Sequence, residues 1–249
     1  MTLNPYDEQV ATAFKDSREI PRAGLEEWRD AVQRHLDPRP GMTLLDLGAG
    51  TGAFTSAFVD WFGINVVAVE PSSAMRSRIP LGEKIEVLEG SALAIPLEDD
   101  AVDGAWLSLV IHHVPDLAAA AREIRRVLRP GAPVMLRQGF PDRELDGIEM
   151  IRWFPETARV VAPYPTLAET CAAFEAAGFR REAVEPVCDT RPEPLAAFLA
   201  DADTLRTADT TLRALTEDEF ERGKERLRRA VESGHAESRT NQLDLVVLR

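Results

Sequence analysis

At 249 residues with 45% hydrophobic content, the chain is sized for one α/β domain with a modest addition and has enough apolar residues for a core. Its 29 basic and 42 acidic residues give a net charge of −13, which repels a polyanion and argues against nucleic acid as a partner. No run approaches the roughly 20 apolar residues that cross a bilayer, and Met1–Pro5 lacks the regions of a signal peptide. Cys171 and Cys188 are too few and too isolated for a disulfide framework or a thiolate zinc site. These features lead us to expect a soluble, cytoplasmic protein, monomer or homodimer, with no membrane span and no metal.

In chain order, residues 1–40 read as an N-terminal helical lid and residues 41–249 as the main domain. An apolar strand at Thr43–Leu47 runs into Gly48-Ala49-Gly50-Thr51-Gly52 and then into a helix. Glycines there allow backbone conformations and close approaches that a Cβ forbids, and the helix start aims free N–H groups at a ligand. The G-x-G-x-G spacing differs from the G-x-G-x-x-G of a dinucleotide turn and disfavours NAD. A second strand, Asn65–Glu70, ends in a carboxylate whose two acceptor oxygens suit a ribose diol.

Further strands are expected at Ile85–Glu89, Val102–Ser108, Pro133–Gln138, Arg181–Val187 and Leu243–Leu248. A helix over Pro115–Leu128 carries Leu117, Ile124, Val127 and Leu128 on one side and stops at Pro130-Gly131. Its Arg122, Arg125, Arg126 and Arg129 read as a solvated face. Capping boxes at Thr166–Glu169 and Thr216–Glu219 open two more helices, ending at Gly178 and near Glu232. Alternating strands and helices predict a mostly parallel seven-stranded sheet covered on both faces. Two insertions depart from the alternation. Phe140–Pro165, with Trp153, Phe154 and Tyr164, falls where insertions sit above the carboxyl ends of strands, and is expected to form the substrate pocket. The long helical stretch 189–240 before the last strand fits a lid, a dimer surface or packing equally well.

L-D-L-G-A-G-T-G at 45–52 and V-V-A-V-E-P at 66–71 are followed in order by Leu88–Leu97, Val102–His113 and Val127–Ala132. Together these five segments resemble the motifs of the class I S-adenosylmethionine-dependent methyltransferases. The chain is most similar in type to small-molecule members of the ubiquinone and menaquinone biosynthetic group and to actinobacterial natural-product enzymes. That resemblance implies a Rossmann-like sheet, S-adenosyl-L-methionine as cofactor, S-adenosyl-L-homocysteine as product and a small-molecule acceptor methylated on N, O or C. The acceptor would be an aromatic or indole natural product, or a quinone precursor. A cofactor-binding homologue acting as a partner or regulator without catalysis is the alternative.

By the same resemblance Asp46, Gly48, Ala49, Gly50, Gly52, Glu70 and Pro71 bind the cofactor. Ser91 stands where relatives usually carry an acid, so the adenine is held by its hydroxyl or by Ala92 and Leu93, with Met75 on the ring. Leu107 and Ser108 line the methionine side through backbone groups, and Phe14 and Arg18 cover it from the lid. His112 and His113 follow the fourth strand where the methyl group emerges, and an imidazole there suits removal of the acceptor's proton. Arg137, Trp153, Phe154 and Tyr164 are the expected substrate contacts.

Overall fold

A computed structural model describes residue 8, residue 12, residues 22–234 and residues 239–249. The strands are β1 (Thr43–Leu47), β2 (Asn65–Val69), β3 (Ile85–Leu88), β4 (Gly104–Ser108), β5 (Val134–Gln138), β6 (Arg181–Arg191) and β7 (Arg239–Leu248). Among the described residues they form one sheet in the order β3-β2-β1-β4-β5-β7-β6. The first five are parallel, and β7 runs antiparallel between β5 and β6. Strand order reverses between β1 and β4, and the crevice beyond their carboxyl ends is where open α/β sheets bind ligands.

Near-continuous apolar strands need cover on both faces. Helices α1 (Glu26–Leu36) and α2 (Ala53–Phe62) cover one face, and α3 (Leu117–Val127) and α4 (Leu167–Ala176) the other. Under the first pair, Trp28, Phe58 and Trp106 meet edge to face, with centroids 5.8 Å apart for Trp28–Trp106 and 5.4 Å for Phe58–Trp106. Under the second, Ile124, Val127, Phe174 and Leu136 are fully buried. Each buried Val, Leu, Ile or Phe is worth about 1.5–3 kcal/mol relative to exposure. A third apolar cluster lies off the sheet, where Phe198 and Leu205 of α5 (Leu195–Ala208) meet Phe220 and Leu227 of α6 (Glu217–Glu232). The Thr166–Glu169 and Thr216–Glu219 capping boxes are both made, each threonine accepting from the N3 amide and each glutamate from the cap amide.

Several expectations need correction. Leu25, Trp28, Ala31, Val32 and Leu36 are buried against the sheet, so from about residue 22 the supposed lid is a layer of the domain. Val102 and Pro133 fall outside the strands. Both β6 and β7 run longer than their apolar stretches, pairing with each other from Arg181 opposite Leu248 to Arg191 opposite Arg239. Backbone pairing there continues through polar residues that an apolar pattern does not mark. The arginines of α3 are paired: Arg126 with Glu123 and Asp99, and Arg129, just beyond the helix, with Asp103. Arg125 stacks over Phe179. Among the described residues no helix is long and apolar enough to cross a membrane.

Candidate active site

The turn after β1 bends through three left-handed glycines, Gly48, Gly50 and Gly52, with φ of 73°, 58° and 83°. A Cβ on Gly48 would meet Val110 Cγ2 at 2.5 Å, so no other residue keeps this backbone so close to the segment after β4. Glu70 follows β2 and is 6% exposed. Its Oε2 accepts from the Gly50 amide at 2.9 Å and its Oε1 from the Ser72 amide at 2.8 Å. Each oxygen keeps a further lone pair, which suits a pair of ribose hydroxyls. Burial pushes the Glu70 carboxyl up from its usual range, opposed by the two amides and Arg76. Asp46 is buried more deeply, accepting from Thr55 Oγ1 at 2.6 Å, and burial pushes its carboxyl up to about 7. That bond ties β1 to α2 and makes Asp46 a holder of the turn.

One cavity of about 680 Å³ joins this turn to the space beyond β4 and β5. Ala49, Gly50, Pro71, Met75, Ser91, Ala92 and Leu93 line its end at the glycine turn. Ser91 Oγ accepts from the Leu93 amide at 3.3 Å. After β4 the chain takes a left-handed residue at Leu109 (φ 58°), strained for a side chain of this size, and a single 3-10 turn, Ile111–His113, follows. That turn sets His112 and His113 on the cavity wall, ring centroids 4.0 Å apart. His112 stacks on Tyr164 at 4.4 Å and 11°. Burial lowers the ionisation of His113, so its imidazole is neutral at pH 7 and able to take a proton.

The far end of the cavity is built from distant segments. The short helix Glu149–Trp153 supplies Ile148, Met150 and Ile151 around its start, α5 supplies Phe198 and Leu205, and the antiparallel pair of β6 and β7 supplies Arg191, Arg239 and Asn241. Two buried ion pairs stiffen this end. Arg137 Nη2 meets Asp189 Oδ1 at 2.6 Å, with side chains 5% and 0% exposed. Arg239 makes a bidentate pair with Glu149 at 2.6 and 2.9 Å and lies over the Phe198 ring at 4.5 Å.

Asp46, Gly48, Ala49, Gly50, Glu70, Pro71, Met75, Ser91, Ala92, Leu93, Ser108, His112, His113, Arg137 and Tyr164 therefore share one cavity. Phe14 and Arg18 lie outside the described residues. Four expected site residues do not line it. Gly52 caps α2, where a Cβ would meet Ile79 at 2.9 Å, and shapes the turn from behind. Leu107 points into the core on the opposite face from Ser108. Phe154 is fully buried and stacks on Phe220 at 5.5 Å and 14°, with Gly223 against its ring. Trp153 packs on the same cluster, and its carbonyl accepts from Arg226. The segment that carries these two aromatics faces the cavity with one side only, and they lie on the other. Gln138, Val161, Phe198, Asp209, Arg239 and Asn241 line the cavity without having been expected there. Arg239 and Asn241 belong to a polar run ahead of an apolar strand, which by itself marks no cavity, and the other four carry no local signal.

A family model described as "Methyltransferase domain" matches residues 45–136, the stretch from β1 to β5 that carries the glycine turn, Glu70 and the histidine pair. A demethylmenaquinone methyltransferase of Corynebacterium kroppenstedtii is 36% identical over 104 residues, covering 42% of this chain and 44% of that protein. A ubiquinone/menaquinone biosynthesis C-methyltransferase of Paracoccus denitrificans is 32% identical over 137 residues, 51% of this chain and 55% of that protein. The chain thus spans about half the length of these relatives. A putative methyltransferase from an antibiotic biosynthesis pathway of Anabaena variabilis shares the fold with a TM-score of 0.72 at 22% identity, over 90% of this chain and 97% of that one. Geranyl diphosphate C-methyltransferase of Streptomyces coelicolor, solved with S-adenosyl-L-homocysteine, does so at 0.56 and 16% identity, over 90% and 78%. From β1 to β5, residues 45–136 thus match a methyltransferase domain, and the chain is similar over that stretch to curated methyltransferases.

Proposed function

We propose that the protein transfers a methyl group from S-adenosylmethionine to a small, largely apolar acceptor held between the ends of β4 and β5 and a helical roof in which α6 backs α5. The observation that carries this reading is the single cavity running from the glycine turn and Glu70 past His112 and His113 into an apolar chamber. Glu70 and the turn hold the cofactor by its ribose and backbone-facing groups, and two spare lone pairs on the carboxylate fit that task.

When bound, the cofactor supplies a methyl group on a sulfonium, and the C–S electron pair stays on sulfur as the acceptor's lone pair forms the new bond. The chain's own part is positioning and exclusion of water, which the roof supplies, and removal of the acceptor's proton, which falls to the histidine pair. An aromatic or indole natural product is the acceptor we favour, because the stacked rings of His112 and Tyr164 form part of the chamber wall.

A thermal-shift comparison tests the cofactor, since a ligand at one hundred times its Kd stabilises a fold by about 2.7 kcal/mol. S-adenosylhomocysteine is expected to raise the melting temperature and NAD to leave it unchanged. A shift by NAD alone, or by neither, overturns the reading. A screen of purified protein against phenols, indoles, amines and quinone precursors then identifies the acceptor.

A further inference from the structure

Asn241 lies on β7 opposite Asp189 of β6 and lines the cavity. Its Nδ2 donates to Asp189 Oδ1 at 3.3 Å, and its Oδ1 accepts from the Glu149 backbone amide at 3.2 Å. A carboxylate only accepts and an N–H only donates, so these two partners fix which end of the side-chain amide is which. Asn241 thereby joins the two buried ion pairs, since Asp189 also holds Arg137 and the Glu149 carboxylate holds Arg239. Beside it, the Gln242 amide donates to the Gly147 carbonyl at 2.9 Å, and a Cβ on Gly147 would meet Gln242 Cβ at 2.8 Å. The start of β7 and the segment after Gly147 are therefore in direct contact, and Ile148, Glu149, Met150 and Ile151 of that segment line the cavity.

From this geometry we infer that Asn241 is the positioning residue of the acceptor chamber, its amide anchoring the lining segment 147–153 to the sheet. The position calls for a donor and an acceptor in one short side chain. Leucine offers neither. Aspartate keeps the shape, but when ionised it sets a second negative charge opposite Asp189, and like charges directly opposite repel. When protonated it has a carbonyl oxygen for the Glu149 amide and an O–H for Asp189, which repeats the asparagine pattern. Beside another carboxylate, such a carboxyl takes up a proton more readily than a free one. The charged groups around position 241 are Asp189 and Arg137 from the sheet, Glu149 from the short helix and Arg239 two residues earlier on β7. Arg191, opposite Arg239, and Asp209 line the same cavity. The wild type carries every one of these groups, so it is the reference at each pH. This inference rests on the methyltransferase reading for what the chamber holds, whereas the anchoring is measured without a ligand.

The test is amide hydrogen exchange of the full chain, corrected for the intrinsic pH dependence of exchange, with calorimetry of S-adenosylhomocysteine binding beside it. In Asn241→Leu, exchange in 147–153 is expected to run about tenfold faster than in the wild type at both pH 5 and pH 8.5, the effect of one lost hydrogen bond to a charged group. In Asn241→Asp it is expected to run about tenfold faster at pH 8.5 and to return to within about twofold of the wild type at pH 5. Exchange in β1 and β4 and the S-adenosylhomocysteine affinity are expected to stay within about twofold of the wild type in both variants. Wild-type exchange in 147–153 of Asn241→Leu overturns the role of Asn241. So does a loss of protection that spreads equally to β1 and β4, which makes the residue one of general stability. A loss in Asn241→Asp that is the same at both pH values overturns the need for a donor and an acceptor together. In the wild type, the Asn241 side-chain amide protons are expected to exchange at least about tenfold more slowly than those of an exposed asparagine. Exchange at the exposed rate overturns the anchoring whether or not either variant folds. Failure of the wild type to bind S-adenosylhomocysteine, with the exchange pattern as expected, overturns the methyltransferase reading and the chamber's role with it, and leaves the anchoring in place.

Discussion

The wall we propose for the cofactor draws on three successive strand ends, the turn after β1, Glu70 after β2 and Ser91–Leu93 after β3, the first two joined by the Gly50–Glu70 hydrogen bond. The wall we propose for the acceptor is gathered from distant stretches, from the histidine turn after β4 to the start of β7. Backbone groups at left-handed glycines do much of the work on the first wall, and side chains placed by long-range pairing do it on the second. A local motif tolerates little change, because the backbone itself is the contacting surface. An assembled wall can exchange side chains while its fold persists.

The sharpest way to break that contrast is Gly50→Val. A β-branched residue at φ 58° is strained and fills the space where backbone would meet ligand. S-adenosylhomocysteine binding should fall below detection by calorimetry while the circular dichroism spectrum stays close to wild type. Normal binding would show that the ligand does not lie on the turn.

His113→Gln probes the other wall. With an acceptor in hand, turnover should drop by about 10²–10⁴-fold with cofactor affinity unchanged. The pH profile carries the sign. Burial lowers the ionisation of His113, so its basic form persists below the usual histidine value, and wild-type turnover should decline only as pH falls past that lowered point. The variant should lose that limb of the profile. Single-turnover rates that match wild type across pH 5–9 would remove His113 as the base.

Arg137→Ala measures how far the acceptor wall depends on its buried pairs. It strands Asp189, which is fully buried, and should cost about 3–5 kcal/mol in urea unfolding. Replacing both partners, as Arg137→Met with Asp189→Leu, should recover most of that loss. An equally unstable double variant would mean that packing of Arg137 over Trp28 and Phe54, at 5.0 and 5.6 Å, matters more than charge. The smallest effect in this series is Glu70→Ala, about 2–3 kcal/mol in S-adenosylhomocysteine affinity, because two ribose hydroxyls would lose their acceptors. An unchanged affinity would place the ribose elsewhere.

The same contrast explains what could be read in advance. The place of Gly48, Gly50 and Glu70 side by side in the cavity wall was legible because strand, turn and carboxylate succeed one another along the chain. Gln138, Arg239 and Asn241 were not, since β7 inserts between β5 and β6 only in the folded sheet and nothing near those residues announces a cavity. Trp153 and Phe154 were misplaced for a related reason. Aromatic composition marks a segment as buried without saying against which neighbour, and the partners Phe198, Phe220 and Gly223 lie some 45 to 70 residues further on. Leu107 was expected to contribute backbone groups; alternation along β4 sends its side chain into the core, opposite Ser108, and only Ser108 lines the cavity.

The helical roof has an apolar cluster of its own, separate from the two that sandwich the sheet. Cooperative units of this kind open with free energies below that of global unfolding. Amide exchange in α5 and α6 therefore reports on access to the chamber, while exchange in β1 and β4 reports on the survival of the whole domain. A roof that opens on its own would let a bulky product leave the chamber we propose for the acceptor while the glycine turn keeps its shape.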